Sequence, residues 1–241
     1  MTVKVSLEEL IKAGAHFGHQ SKRWNPKMAP FVYGEKEGVH IFDLVKTKEK
    51  LEEALEVIKK ASKEGKKILL VGTKKQAKEI VKKVAQETEV FWVTERWLGG
   101  TLTNFDQMRK STKKLGDMKS KMEAGEFKDR TKKERLLLAR EIDRLERFFG
   151  GVVGMDNIPE LIFIVDIKRE TGALQEAVKK GVEVVGVVDT NSDPTLVDYP
   201  IPMNDDATRA IEYVLELVRD AILEGKEKKS KVSLKSKKEE K

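Results

Sequence analysis

"KKILLVGT", residues 66–73, decides the fold. Ile68, Leu69, Leu70 and Val71 form an unbroken apolar run with no polar alternation. That pattern predicts a short strand buried on both faces, as in a parallel sheet. "KKQAKEIVKKVAQET" follows at once with helical spacing, and "VFWVTE" reads as a second strand. Farther on come "LIFIVDI", a helix over "RETGALQEAVKK", the run "VEVVGVVDT" and a helix from about Asp205 to Leu223. Short apolar strands alternating with amphipathic helices predict a parallel sheet, and right-handed crossovers put helices on both of its faces.

Upstream, "SLEELIKAGAH" begins with a capping-box pattern, Ser6 with Glu9, and Gly14 stops the helix. From Phe17 to Leu44 the chain looks irregular, with short strands around "PFVYG" and "GVHIFDL", so 1–45 reads as an N-terminal extension. A helix starting at Asp43 or Thr47 repeats Leu51, Ala54, Leu55 and Ile58 and ends at Gly65. The segment 105–149 breaks the strand–helix rhythm. Phe105, Met108, Thr112, Leu115, Lys119 and Met122 step by threes and fours, as do Leu138, Ile142, Leu145 and Phe149. Joined by the polar turn "EAGEFKDRTKKE", they predict an antiparallel coiled-coil hairpin inserted into an α/β domain of 1–104 and 150–225, with Gly150 and Gly151 turning the chain back. The end, 226–241, is rich in lysine with little to bury, and reads as a disordered tail.

Charge is distributed unevenly. The 241 residues carry a net +7, but Glu224 to Lys241 hold eight lysines and four glutamates, leaving about +3 for the rest. A nucleic-acid face must therefore be local. The absence of cysteine excludes disulfides and thiolate metal sites. The N-terminus lacks a signal-peptide pattern, and no apolar run is long enough for a membrane span. A soluble, cytoplasmic protein with no membrane partner is expected.

Neither G-x-G-x-x-G after a strand nor G-x-x-x-x-G-K-[ST] occurs. "VGTKKQA" offers Thr73 before a helix, either as an anion site or, the preferred reading, as an ordinary N-cap. "VDTNSDP" supplies the enzyme alternative: a Mg²⁺-dependent nucleotide- or phosphate-binding α/β enzyme using Asp189 and Asp193 at a strand end. A self-capped turn is the preferred reading there. No catalytic residue is assigned, because no nucleophile–base pair accompanies the loop. His16 and His19 share one turn if the first helix continues through them. With Asp189 and Asp205 they are candidate ligands of a structural divalent metal, against a buried, hydrogen-bonded histidine pair. No other cofactor is expected.

The cations say more. "SKRWNPK" sets Lys22, Arg23 and Lys27 around Trp24, and "TERWLGGTLTNF" repeats the theme with Arg96 and Trp97. Guanidinium groups pair with phosphates and aromatic rings stack on bases, so these are candidate RNA contacts. Arg109, Lys110, Lys113 and Lys114 on the hairpin join them. The opposing reading is a solvated helix and two core tryptophans.

"GAHFGHQSKRWNPKMAPFVYGEKEGVHIFDL", "RWLGGTLTNF", "NIPELIFIVDI" and "VVDTNSDPTLVDYPIPMNDDATRAI" together resemble the second-protein family of the bacterial small ribosomal subunit, from about residue 5 to 224. The resemblance implies an α/β three-layer sandwich around a mainly parallel, flavodoxin- or Rossmann-like sheet with an inserted coiled-coil hairpin. It further implies a structural, non-catalytic role: binding small-subunit ribosomal RNA near the junction of head and body, beside neighbouring small-subunit proteins including the large first one. Met203 stands where that family usually has glycine.

Overall fold

The computed structural model describes residues 4–127 and 129–239, with side chains through Lys228. The chain opens with α1 (Leu7–Lys12), capped by the Ser6 side chain, which accepts from the Glu9 N–H. A small antiparallel sheet follows: β1 (Phe17–Gln20), β2 (Val32–Lys36) and β3 (Val39–Phe42), with β3 in the middle. Next come α2 (Leu44–Glu64), β4 (Ile68–Val71), α3 (Lys78–Glu87) and β5 (Phe91–Val93). The inserted segment forms α4 (Phe105–Glu123) and α5 (Lys132–Phe149). After it the chain builds β6 (Leu161–Ile164), α6 (Thr171–Lys180), β7 (Glu183–Val188), β8 (Tyr199–Pro202) and α7 (Thr208–Glu239).

Five strands make the main sheet, in the order β5-β4-β6-β7-β8, and every pairing is parallel. The first strand of the set lies inside, which is the doubly wound order of flavodoxin-like sheets. Side chains alternate between two cores. Leu70, Phe163, Val185 and Val187 face α2, α3 and α7. Leu69, Val71, Ile162, Ile164 and Val184 face α6, the start of α4, and Met28 and Phe42 from the N-terminal extension. This is the predicted three-layer α/β architecture.

Two strands escape the sequence pattern. β8, "YPIP", contains two prolines, which cannot donate to a ladder; it survives because it is an edge strand bonded to β7 alone. β1, "FGHQ", has no apolar run, and is formed by its pairing with β3.

The hairpin helices pack on Leu115, Ile142 and Leu145, with Met118 and Phe149 against them. At roughly 2 kcal/mol per fully buried aliphatic side chain, this seam is thin. A capping box therefore matters at the start of α5: Thr131 Oγ1 accepts from the Glu134 N–H, and the Thr131 N–H donates to Glu134 at 2.9 Å. At the root, Gly151 does more than turn the chain: a Cβ there would collide with the Trp92 carbonyl oxygen.

Gly225 does not end the last helix. It lets α7 cross α2 closely, since a Cβ there would lie 2.6 Å from the Lys59 carbonyl oxygen and from Ser62 Cβ. The backbone stays helical to Glu239, against the disordered lysine-rich tail expected over 226–241. Lysine and glutamate are good helix formers, and the helix is already nucleated by its buried first half. Glu240 and Lys241 lie outside the described residues.

Candidate nucleic-acid interface

In a doubly wound sheet, ligands sit at the carboxyl ends of the strands where the order reverses, here beside β4 and β6. The chain fills that crevice with its own charges. The Thr73 N–H and hydroxyl both donate to Glu170 Oε1, at 3.1 and 2.5 Å. The anion on Thr73 is thus a buried side chain, and Thr73 caps no helix: α3 begins only at Lys78, with Ala77 as its cap. Burial pushes the Glu170 carboxyl up, against the lowering effect of the Thr73 donors. Asp166 turns the chain into this contact with a left-handed backbone, φ +63°, which aspartate tolerates better than most residues.

Beside it, Lys74 Nζ lies 3.2 Å from Asp166, 2.7 Å from Asp205 and 2.6 Å from Asp206. Burial opposes the ammonium, but the carboxylates led by Asp205 outweigh it and hold Lys74 well above the ordinary lysine range. Burial, with the charges of Asp189 and Asp166, pushes Asp205 up.

The four metal candidates are not assembled into a ligand set. α1 ends at Lys12, so His16 lies in the turn that follows it and His19 on β1, rather than both on one helical turn. His16 stacks on Phe17 with ring centroids 4.0 Å apart, and its Nδ1 is buried without a partner. His19 Nδ1 pairs with Asp189 Oδ1 at 2.9 Å. Asp205 is held by Lys74, and its N–H donates to Asp189 Oδ2 at 3.2 Å. Among the described residues, no group of three or more histidine or acidic side chains is placed to hold a metal. The protein cation paired with Asp205 is Lys74.

"VDTNSDP" is a self-capped turn. Asp193 accepts from the Thr195 N–H and hydroxyl at 3.0 and 2.6 Å, and from Lys27 Nζ at 2.6 Å. Its neighbour Thr190 pins the N-terminal extension: the His19 N–H donates to Thr190 Oγ1 and the Asn25 N–H to the Thr190 carbonyl, both at 2.8 Å. The "SKRWNPK" loop is set on the domain in this way. Trp24 packs against the second core, 4.9 Å from the His40 ring.

The other loop has an organiser that local sequence does not reveal. Glu176, on α6, accepts from Trp97 Nε1 at 3.0 Å and from the backbone N–H groups of Gly100, Leu102 and Thr103 at 2.8, 2.9 and 2.9 Å. The Thr103 hydroxyl adds a fifth bond at 3.0 Å. Burial raises the Glu176 carboxyl, but these donors prevail and its pKa is lowered. Trp97 is 9% exposed and belongs to the second core, so its ring cannot stack on a base. The expectation for Trp97 is corrected accordingly.

The ten candidate RNA contacts thus divide. Trp97 is buried and Trp24 half-buried. Lys27 is paired with Asp193, and Lys114 with Glu141 at 3.3 Å. Lys22, Arg23, Arg96, Arg109, Lys110 and Lys113 are exposed and make no ion pair among the described residues. Three of them come together: Arg109, Lys110 and Lys113 line a groove of about 680 Å³ between α4 and Val153–Asp156. Asp106, Asp117 and Asp156 line it too, so it is a mixed-charge groove rather than a purely basic one. Arg23 opens onto a second cavity, of about 400 Å³, beside His19 and Asp206.

A model of the family described as ribosomal protein S2 matches residues 10–225. The small ribosomal subunit protein uS2 of Coprothermobacter proteolyticus is 48% identical over 92% of this chain and 83% of its own length. The uS2 protein of Cytophaga hutchinsonii is 45% identical over 100% of this chain and 96% of its own, and that of Chlorobaculum tepidum 48% identical over 94% and 91%. Among the described residues, no helix is long and apolar enough to cross a membrane.

Proposed function

The chain belongs to the ribosomal protein S2 family, and on that premise we propose that it is a structural, non-catalytic component of the small ribosomal subunit that binds ribosomal RNA through exposed cations. The observation that carries the RNA-binding part is the division of the positive charges. Lys74 is neutralised inside the crevice that an α/β enzyme would keep for its ligand, whereas Lys22, Arg23, Arg96, Arg109, Lys110 and Lys113 stand outside it without ion pairs among the described residues. Surface cations neutralise phosphates and release counterions, and a projecting helical hairpin adds fit to folded RNA. The finer position follows the family resemblance: the junction of head and body, next to other small-subunit proteins including the large first one, in the cytoplasm.

The test is the salt dependence of binding to purified small-subunit RNA. A steep fall in affinity with salt, flattened by neutralising Arg109, Lys110 and Lys113 together, supports the hairpin root as an RNA face. A slope unchanged by that variant rejects it.

A further inference from the structure

α5 is two-faced except near its start. Ile142 and Leu145 pack in the seam with α4, while "LLL" at 136–138 wraps apolar surface around most of the helix. α4 covers only part of it: Leu136 is 52% exposed and Leu137 55%. A run that is apolar nearly all round is expected to be covered on more than one side.

The charges around this pair point to what covers it. Lys133, Leu136, Leu137 and Arg140 fall at i, i+3, i+4 and i+7 and share one face. The acids beside them are already engaged. Glu134 accepts from the Thr131 N–H and hydroxyl in the capping box, and Glu141 accepts from Arg144 at 2.9 Å and from Lys114 at 3.3 Å. Lys133 and Arg140 are exposed and make no ion pair among the described residues. Asp143 lies two turns beyond Leu136. The result is an aliphatic pair with a basic rim. At the tip, Met122, Gly125, Phe127, Arg135 and Leu138 line a cavity of about 180 Å³.

We propose that this outer face of α5 docks an acidic amphipathic segment of a neighbouring protein, with apolar residues seated on Leu136 and Leu137 and carboxylates meeting Lys133 and Arg140. Two leucines offer RNA neither a stacking ring nor a hydrogen-bond donor. An apolar centre with a charged rim is the anatomy of a helix-docking surface, and the rim's sign selects the partner's. The proposal rests on assembly into the small subunit but not on which cations face RNA.

The test places a photo-reactive group on this face in the full chain, as Leu137→p-benzoylphenylalanine. Small subunits containing it are isolated by sedimentation, irradiated, and the crosslinks mapped. The expected product joins residue 137 to a protein segment with apolar residues at helical spacing flanked by Asp or Glu. Adding Lys133→Glu and Arg140→Glu should cut the yield at least fivefold while incorporation persists. Crosslinks to RNA, to a segment without acids, or to nothing would overturn the proposal, as would a yield insensitive to the charge reversal. If no version of the protein entered the subunit, the assembly reading would fail first and this proposal with it.

Discussion

The carboxylate of Glu176 accepts the indole N–H of Trp97 at 3.0 Å across 79 residues of chain, and the same carboxylate receives four more hydrogen bonds from the loop that follows Trp97. One side chain on α6 therefore shapes the segment that presents Arg96 and leads into the hairpin.

Removing that acceptor leaves half-buried backbone N–H groups without a partner. Glu176→Ala is expected to cost about 3 kcal/mol, because hydrogen bonds to a charged group are worth roughly 1.5–3 kcal/mol and orphaned donors add their desolvation cost. For a domain of this size that is about 6–12 °C in Tm. Calorimetry checks it, and an unchanged Tm would mean that the loop holds itself.

Lys74 makes a second prediction. Lys74→Met leaves Asp166, Asp205 and Asp206 facing one another without a cation, and breaking a buried pair from one side typically costs about 3–5 kcal/mol. Adding Asp205→Asn should recover part of the loss, since it removes the most buried of the three charges. A double-mutant cycle by chemical denaturation measures the coupling. Additive losses would contradict the arrangement.

His19 adds a pH dependence. Hydrogen bonding to Asp189 raises the His19 pKa above 6.5, outweighing burial. The folded state thus holds a proton that the unfolded chain releases first. The resulting stability is fully present below pH 6.5 and is lost as pH rises through the raised folded value. The His19 ring should titrate above an ordinary histidine by nuclear magnetic resonance. The stability gap between the protein and His19→Gln should narrow on going from pH 6 to alkaline pH, and a gap constant over that range would contradict the pair.

For the cations, neutralising Arg109, Lys110 and Lys113 should lower the slope of log affinity against log salt by about 2, at roughly 0.7 per phosphate contact. Lys114→Ala should matter less, because Lys114 is already paired with Glu141. Equal effects per residue would argue that ion pairing does not divide these cations.

The sheet was legible because β4 and β6 are unbroken apolar runs and β7 is apolar after Glu183. β8 was hidden by Pro200 and Pro202, whose tolerance depends on an edge position that only the assembled sheet defines. At the candidate site, the cations could be read by type, but not which of them were already paired. Lys27 meets Asp193 from 166 residues away and Lys114 meets Glu141 across the hairpin. Glu176 and Lys74 carry no local signal at all: each is one charged residue in an ordinary helix or loop until the fold brings its partners in.

On the proposed function, exposed cations tie this chain to the small ribosomal subunit. Sedimentation of the tagged full chain from gently lysed cells, at low and high salt, tests that tie. Co-migration with the small subunit at low salt is expected, with release at high salt and release at a lower salt concentration for the Arg109, Lys110 and Lys113 variant. Migration as a free small protein at both salts would contradict it.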